Sequence, residues 1–289
     1  MAVRHDPEAQ TGHAVGPTPP GINRDDEVIS LVRGTIRRQV TTMATTTHGE
    51  KGGLSMPDDD GIQATLLADR DTLAVILDRF AGAFTALSGL LLAAPNSTRL
   101  ERVRDEELVG EWPLQEDPHS HRGLDLLRES VLAGENEGDV RRDYNRLFFG
   151  PGPMIAPPYE SVHRSEDHLV FEMQTMQVRA AYAQFGLAAP RLNQEPDDHI
   201  GLEMGFLGAL CVRAMDAIDA RDDAELGRLL AGVQSFLELH LLVWGQRCLT
   251  LAANESQTFF YQGVASLGVG ALHSARDVFL AQPSPPNPV

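Results

Sequence analysis

The sequence has few cysteines and few basic residues. Only two cysteines occur among its 289 residues, Cys211 and Cys248, and each lies in an apolar helical pattern. Cysteines placed in this way indicate small core residues in a reducing compartment, not a disulfide or a metal pair. Lysine and arginine together number 24 against 41 aspartates and glutamates, which gives a formal net charge of −17. This charge argues against nucleic acid as a partner, because counterion release requires a basic surface.

Long apolar runs are also missing. No stretch approaches the ~20 apolar residues that a membrane span needs, and no apolar region follows the N-terminal charges as it would in an export signal. We therefore expect a cytoplasmic protein without stable membrane insertion. The acidity suits a basic or basic-and-apolar partner, and it would equally serve to keep the protein soluble.

Signatures of covalent catalysis are absent as well. The sequence contains no Gly-x-Ser-x-Gly elbow, and neither cysteine has a histidine placed to activate it. It also lacks a Gly-x-x-x-x-Gly-Lys motif that would cradle phosphates. These absences favour a protein that is not an enzyme and has no tight nucleotide site.

Residues 1–61 differ in composition from the rest of the chain. Proline, glycine and threonine are frequent there, for example at Pro19, Pro20 and Gly21. Such a segment cannot bury enough apolar surface to offset its chain entropy, so we expect a disordered extension. Met56 stands shortly before the first strongly patterned segment and is an alternative start. We expect a second disordered segment at residues 283–289.

Residues 62–282 carry helical patterns and no two-residue strand alternation, which predicts a single all-α bundle domain. One expected helix, from about Asp167 to Gly186, would place Met173, Met176, Ala180 and Ala183 on one face. The other expected helices run from Thr72 to before Pro95, from a capping box at Thr98 and Glu101 to Leu108, over Leu124–Val131, over Val140–Phe148, from Asp197 or Asp198 to Ala220, from Asp223 to Ala253, and from a cap at Ser256 through Val278.

A proline-rich loop interrupts this pattern between Gly150 and Ser165. It contains Pro151, Pro153, Pro157 and Pro158. Prolines at this density exclude a helix. A long loop inside a compact domain is commonly functional.

The residues from Glu195 to His199 read Glu-Pro-Asp-Asp-His. Acidic side chains at a helix start accept hydrogen bonds from free amides and face the positive end of the dipole, at about 0.3–1 kcal/mol each. Capping therefore explains Asp197 and Asp198 but not His199, which would be unfavourable there when protonated. One interpretation is a neutral imidazole held by Asp198 or Glu195. Another is a metal site formed by His199 with Glu203 one turn later.

Several segments in a fixed order resemble the TorD/DmsD family, the cytoplasmic chaperones that mature molybdenum-cofactor reductases. They are Tyr144-Asn145-Arg146-Leu147-Phe148-Phe149-Gly150-Pro151, Pro157-Pro158-Tyr159-Glu160-Ser161-Val162, the Glu-Pro-Asp-Asp-His segment, the stretch from Phe236 to Trp244, and Phe259-Phe260-Tyr261. The resemblance covers roughly residues 66–280. The sequence departs from some members in having Tyr159-Glu160 where they have a tryptophan, and His163 where an aromatic residue is common.

The resemblance implies a chaperone that binds the twin-arginine signal peptide, or the body, of a molybdopterin oxidoreductase catalytic subunit and delays its export until the cofactor is inserted. The family's leader-binding positions fall here on Asp198, His199, Gly150, Pro151, Pro158 and Tyr159. A receptor for two guanidiniums and an apolar run needs carboxylates beside an apolar groove. Glu195, Asp197 and Asp198 would supply the acids, and Tyr159, Phe148 and Phe206 the groove. For Trp244 we favour core packing with its indole N–H satisfied internally.

Two alternative functions remain open. One is a nitrate-reductase assembly factor, whose client need not be exported. The other is a metal-dependent hydrolase on a helical bundle, using His199, Glu203 and acidic neighbours. The resemblance implies no resident cofactor, allows weak guanine-nucleotide binding, and is compatible with a monomer or a domain-swapped dimer.

Overall fold

A computed structural model describes residues 69–150, 152–190 and 195–280. The expectations for residues 1–61, for the start at Met56 and for residues 283–289 lie outside these ranges. Within them all regular secondary structure is helical, and the one β feature is an isolated bridge between Tyr159 and His199. The prediction of an all-α fold is confirmed.

The helices of the described residues share one hydrophobic core. They are α1 (Arg70–Leu92), α2 (Ser97–Val103), α3 (Glu106–Gly110), α4 (Pro118–Leu132), α5 (Glu137–Tyr144), α6 (Glu160–Arg164), α7 (Met173–Gln184), α8 (Ile200–Ala220), α9 (Asp223–Phe236), α10 (Leu242–Glu255) and α11 (Phe259–Phe279). Two π-helical segments, Asn145–Phe149 and Leu237–Leu241, continue α5 and α9.

Two helix pairs, α1 with α8 and α4 with α11, form the centre of the bundle. Both pack through glycines. A Cβ on Gly263 of α11 would lie 2.9 Å from the carbonyl oxygen of Gly123 on α4, and a Cβ on Gly201 of α8 would lie 3.0 Å from that of Ser88 on α1. Side chains at these positions would separate the helices, so the glycines permit the close contact.

The second π-helical segment joins α9 to α10, so residues 223–255 form one continuous helix. That helix and α1 are long and apolar enough to cross a membrane by length and composition alone. The expectation that no stretch reaches this limit is therefore wrong. The apolarity has a packing explanation, because Leu77 and Phe84 of α1, and Leu230 and Trp244 of the long helix, lie in the shared core.

Several predicted helix starts are wrong by a few residues. Asn96, not Thr98, caps α2 by accepting a hydrogen bond from the amide of Arg99. The helix expected to continue to Leu108 breaks after Val103, because Asp105 begins a new helix by capping α3. Thr258, not Ser256, caps α11 through the amide of Tyr261. For α2 and α11 the observed cap lies two residues from the predicted one, and both residues are of types that can cap a helix.

The predicted start of α7 is also wrong, and the face that carries its methionines is exposed. Met173, Met176, Ala180 and Ala183 are exposed, and the helix begins at Met173 instead of Asp167. The buried face carries Thr175, Val178 and Tyr182. The polar groups of Thr175 and Tyr182 find partners at the start of α8. Buried hydrogen bonds, which a hydrophobic pattern cannot reveal, therefore set the orientation of this helix.

Candidate functional site

The proline-rich loop is fixed to the bundle at both ends. At its start the π-helical segment ends at Gly150, whose φ of 110° is a value that side chains rarely permit. The amide of Ala156 then donates to the carbonyl oxygen of Leu147 at 2.9 Å. Pro151 lies outside the described residues. The loop is thus held against the end of the π-helical segment from which it leaves.

At its other end the loop pairs with the residues that precede α8. The amide of Glu160 donates to the carbonyl of Asp198 at 3.0 Å, and the amide of Ile200 donates to the carbonyl of Pro158 at 2.8 Å. We call residues 157–161 and 195–200 together the loop junction. Two segments nearly forty residues apart in sequence meet here, one from each half of the family-like pattern.

Asp198 fastens the loop junction through its side chain. One carboxylate oxygen accepts from the amide of Ser161 at 2.8 Å, and the other accepts from the hydroxyl of Thr175 on α7 at 2.7 Å. The carboxylate is fully buried. Asp198 was expected to lie at or beside the first residue of α8, but that helix begins at Ile200. The side chain instead satisfies a free amide at the start of α6, so it stabilises a different helix from the one expected.

Asp197 and Glu195 have partners of their own. Asp197 accepts from the guanidinium of Arg179 on α7 at 2.7 Å and 3.1 Å, and its other carboxylate oxygen is buried without a partner. Its backbone carbonyl accepts from the Tyr182 hydroxyl at 3.0 Å. Glu195 is half-buried and accepts from the Tyr159 hydroxyl at 2.8 Å. Burial and this neighbouring carboxylate raise the pKa of Tyr159. The phenol therefore keeps its proton and donates it to the carboxyl group of Glu195.

His199 is the N-cap of α8. Its Nδ1 accepts from the amide of Gly201 at 3.0 Å, so the ring proton is on Nε2. Burial lowers the pKa of His199 to about 3. The ring lies edge-on to Tyr159 with centroids 5.3 Å apart. The interpretation that Asp198 or Glu195 holds the ring is wrong, because Nδ1 accepts from a backbone amide, a role that requires an unprotonated Nδ1.

A second group of polar side chains lies beneath the loop junction. Glu160 is fully buried and accepts from Nδ1 of His240 at 2.9 Å and from the guanidinium of Arg164. Glu203 is fully buried as well, and the Trp244 indole N–H donates to it at 3.3 Å. Burial, with the carboxylates of Glu160 and Asp198 close by, raises the pKa of Glu203 well above its usual range. The internal bonding predicted for Trp244 is confirmed.

Phe148 and Phe206 belong to two different aromatic clusters. Phe148 packs against Tyr144 and Tyr261 at 5.3 Å and 5.8 Å between ring centroids. Phe206 packs against Tyr182 and Phe236 at 4.6 Å and 4.7 Å. Both phenylalanines are at most 5% exposed. In this conformation they form core beneath the loop, not an open groove.

The sequence did not identify three residues that complete the site. Thr175 and Arg179 of α7 hold the two aspartates, and Glu160 joins α6 to the long helix through His240. For Glu160 the signal was present, because it follows Tyr159 within the family-like motif. For Thr175 and Arg179 no local signal existed, since only the fold brings α7 against residues 197–198.

Metal binding finds little support in the described ranges, where no group of three or more histidine, cysteine, aspartate or glutamate side chains is arranged to hold an ion. His199 directs Nδ1 to the Gly201 amide, and Glu203 contacts Trp244. Both cysteines are free and buried, as predicted. Burial raises the pKa of Cys211 to about 12, which removes it as a nucleophile.

Comparison with known proteins gives consistent relatives. Residues 117–250 match the family model described as nitrate reductase delta subunit. A probable Tat proofreading chaperone DmsD of Haemophilus influenzae is 26% identical over 196 residues, covering 65% of this chain and 87% of the relative. A chaperone protein TorD of Aliivibrio fischeri is 25% identical over 63% of this chain and 85% of its own length. A Tat proofreading chaperone DmsD of Salmonella paratyphi A is 24% identical over 66% and 85%.

Proposed function

The chain belongs to the TorD/DmsD family of chaperones, and from that premise we propose its client. We propose that it binds the twin-arginine signal peptide, and also the body, of a molybdopterin oxidoreductase catalytic subunit in the cytoplasm. Binding would withhold the client from export while its cofactor is inserted. The family is a chaperone family and not a catalytic one, so the metal-dependent hydrolase alternative is wrong.

The loop junction carries this proposal. The residues matched to the family's leader-binding positions, chiefly Asp198, His199, Pro158 and Tyr159, meet at one place and fasten the proline-rich loop to α8. A loop held at both ends by buried hydrogen bonds is a preformed surface, which lowers the entropy cost of binding a peptide.

The ten proposed site residues would then act in two ways. Glu195 and Tyr159 are half-buried and within reach of a bound peptide. The described others would position the loop: Asp197, Asp198 and His199 by holding its return, Gly150 and Pro158 by shaping its course, and Phe148 and Phe206 by supporting it from the core. Pro151 stays a proposed site residue from the family resemblance alone.

Calorimetric titration with a synthetic peptide tests the proposal. The peptide carries two adjacent arginines followed by an apolar stretch. We expect binding that higher ionic strength weakens without abolishing, because charge contacts are screened and apolar contacts are not. Lysine in place of both arginines should cost more than charge alone predicts, since lysine cannot make the planar two-donor contact with a carboxylate. Serine in place of the apolar residues should weaken binding at every salt concentration. Absence of binding to the arginine peptide under all conditions would refute leader recognition.

A nitrate-reductase assembly factor is the second candidate. The name of the matching family model favours it. The two functions differ in the client, which carries a twin-arginine leader in the first case and need not in the second. Capture of the client from the native cell, followed by sequencing of its N-terminus, separates them. Light scattering of the purified chain distinguishes the monomer from the domain-swapped dimer.

A further inference from the structure

Seven large apolar side chains lie exposed on the flank of the bundle that contains α6 and α7. We call them the apolar patch, and they are Leu169, Val170, Phe171, Met173, Met176, Leu239 and Val243. Phe171 is 54% exposed, Met173 69% and Met176 56%. Large apolar side chains exposed on elements that pack on the same short helix, α6, are candidates for contact with a partner.

The chain holds these side chains outward by its backbone. His168 and Phe171 have φ angles of 53° and 64°, which bulky residues seldom adopt. Nδ1 of His168 donates to the carbonyl of Val162 at 2.7 Å and so ties the segment back to α6. Arg164, at the end of α6, donates to the carbonyl of Leu239 at 2.9 Å, which places the start of the segment beside Leu239.

Four carboxylates are adjacent in sequence to residues of the apolar patch. Glu166 and Asp167 precede it, Glu172 lies within it, and Glu238 is next to Leu239; three of the four are exposed and Glu172 is half-buried. Basic side chains nearby include Arg164, whose guanidinium donates to the carboxylate of Glu160 and to the carbonyl of Leu239, and Arg247, one helical turn beyond Val243. The patch therefore combines apolar side chains with an acidic rim.

The two aspartates of the loop junction are less suited to a guanidinium, and its half-buried Glu195 already accepts a hydrogen bond from Tyr159. Asp197 and Asp198 are fully buried, and Asp198 already has a donor on each oxygen. A guanidinium would have to break these bonds and lose its own hydration to reach them, which costs several kcal/mol. The rim carboxylates of Glu166, Asp167 and Glu238 require no such displacement.

We propose that the apolar patch docks the apolar stretch of the client's leader while the acidic rim binds its two arginines. This proposal rests on leader binding as the function and names where the leader lies. Charge complementarity fixes the occupant, because a basic pair next to an apolar run matches carboxylates next to exposed methionine, leucine and phenylalanine. Methionine suits this role, since its flexible side chain adapts to different apolar sequences.

The first test uses a fluorescently labelled peptide with two arginines followed by a leucine- and alanine-rich stretch. The double variant Met173→Gln with Met176→Gln keeps side-chain length but removes apolar surface. We expect its Kd to rise by about 10-fold or more at both low and high salt, because two methionine side chains that become buried under the bound peptide contribute that much to the affinity. The matched control is Val131→Gln with Leu132→Gln, two exposed apolar residues on α4. It should change the Kd by less than about 2-fold.

The second test removes charge from the rim. The triple variant Glu166→Gln, Asp167→Asn and Glu238→Gln should weaken binding at low salt and flatten its salt dependence. The control Asp78→Asn, Glu101→Gln and Glu107→Gln removes three exposed carboxylates elsewhere. It changes the net charge equally and should leave the salt dependence as in the original chain.

Three results would overturn the proposal. Unchanged affinity in the methionine variant, with loss of binding in Tyr159→Ala, would place the leader at the loop junction and leave the proposed function intact. If a peptide without arginines binds as tightly as the arginine peptide, the apolar patch binds apolar peptides without recognising the two arginines. Absence of leader binding by the original chain would instead contradict the proposed function itself.

Discussion

Replacing Asp198 by alanine should destabilise the fold strongly. The change leaves the amide of Ser161 and the hydroxyl of Thr175 buried without an acceptor. Each unsatisfied buried donor costs about 1–3 kcal/mol, so we expect a loss of about 2–6 kcal/mol in the free energy of unfolding. That is a large part of the ~5–15 kcal/mol typical of a folded domain.

Asp69 offers a matched control for this change. It also accepts hydrogen bonds from one backbone amide and one threonine hydroxyl, both of Thr72, but at the surface. Water can replace Asp69 as the acceptor, so Asp69→Ala should cost much less than Asp198→Ala. Comparing the two variants isolates the effect of burial from that of losing two hydrogen bonds.

Thr175→Val makes the test stricter. Valine has nearly the same shape as threonine but no hydroxyl, so in the Asp198→Ala background it removes one of the two unsatisfied donors. The double variant should therefore be less destabilised than the sum of the single variants by about 1 kcal/mol or more. Urea unfolding, monitored by circular dichroism, gives the change in the free energy of unfolding for each single variant and for the double variant. The comparison requires that the dependence of this free energy on urea concentration is the same in all of them.

Hydrogen exchange and binding complete the assay. The amides of Glu160, Ser161 and Ile200 should exchange faster in Asp198→Ala, because the loop junction loses its side-chain support. Affinity for the leader peptide should fall with them, measured at a temperature at which the variant is folded. A destabilisation by Asp198→Ala no larger than that by Asp69→Ala, with unchanged exchange at Ser161, would refute the assignment of Asp198 as the fastening residue.

Three further predictions concern pH and chain length. The folded-state pKa of His199 is lowered from 6.5 to about 3, so its contribution to stability is complete above pH 6.5 and is lost as the pH falls toward 3. The original chain should therefore lose about 2 kcal/mol of its free energy of unfolding between pH 7 and pH 5, measured by urea titration. The variant His199→Asn keeps an N-cap acceptor and should not show this loss. Glu203 has a raised folded-state pKa, so it destabilises the fold as the pH rises above 4.5. The variant Glu203→Gln should therefore be more stable than the original chain at pH 7 and should lose this advantage below pH 4.5. If variant and original chain are equally stable at pH 7 and below pH 4.5, the raised pKa of Glu203 is wrong. A chain starting at Met56 should melt and bind leader peptide like the full chain, whereas loss of folding would show that residues 1–55 pack on the bundle.

The helical pattern predicted the core well where apolar residues decide packing. Along α11, Phe260, Val264, Leu267 and Ala271 are buried as their spacing indicates. The same reasoning grouped the methionines of α7 on one face but could not show that this face is exposed. Its buried face is held by hydrogen bonds to residues 197–198, which lie more than ten residues later in sequence, while its methionines remain exposed. Hydrophobic periodicity assumes that burial follows apolarity, and that assumption fails along α7, where Met173 and Met176 are exposed.

The role of the Glu-Pro-Asp-Asp-His segment shows a related limit. Its composition indicated hydrogen bonds to amides at a helix start. The local sequence could not show that the amide that donates to Asp198 belongs to α6 and not to α8. In the sequence, a carboxylate that contacts a ligand cannot be told from a carboxylate that holds the fold together, because both are simply aspartate or glutamate. Burial and partner lists distinguish them, and both require the fold.

This distinction matters for interpreting variants in the Asp-His pair. Asp198 and His199 are buried and bonded to backbone amides, so their replacement would disturb the loop even if no leader atom touches them. Reduced binding in such a variant therefore does not locate the peptide. Exposed positions such as Met173 and Glu166 are free of that ambiguity, because their replacement leaves the buried bonds in place. Variants at exposed positions therefore test where a leader would lie. Variants of Asp198 and His199 test only whether the loop junction is correctly formed.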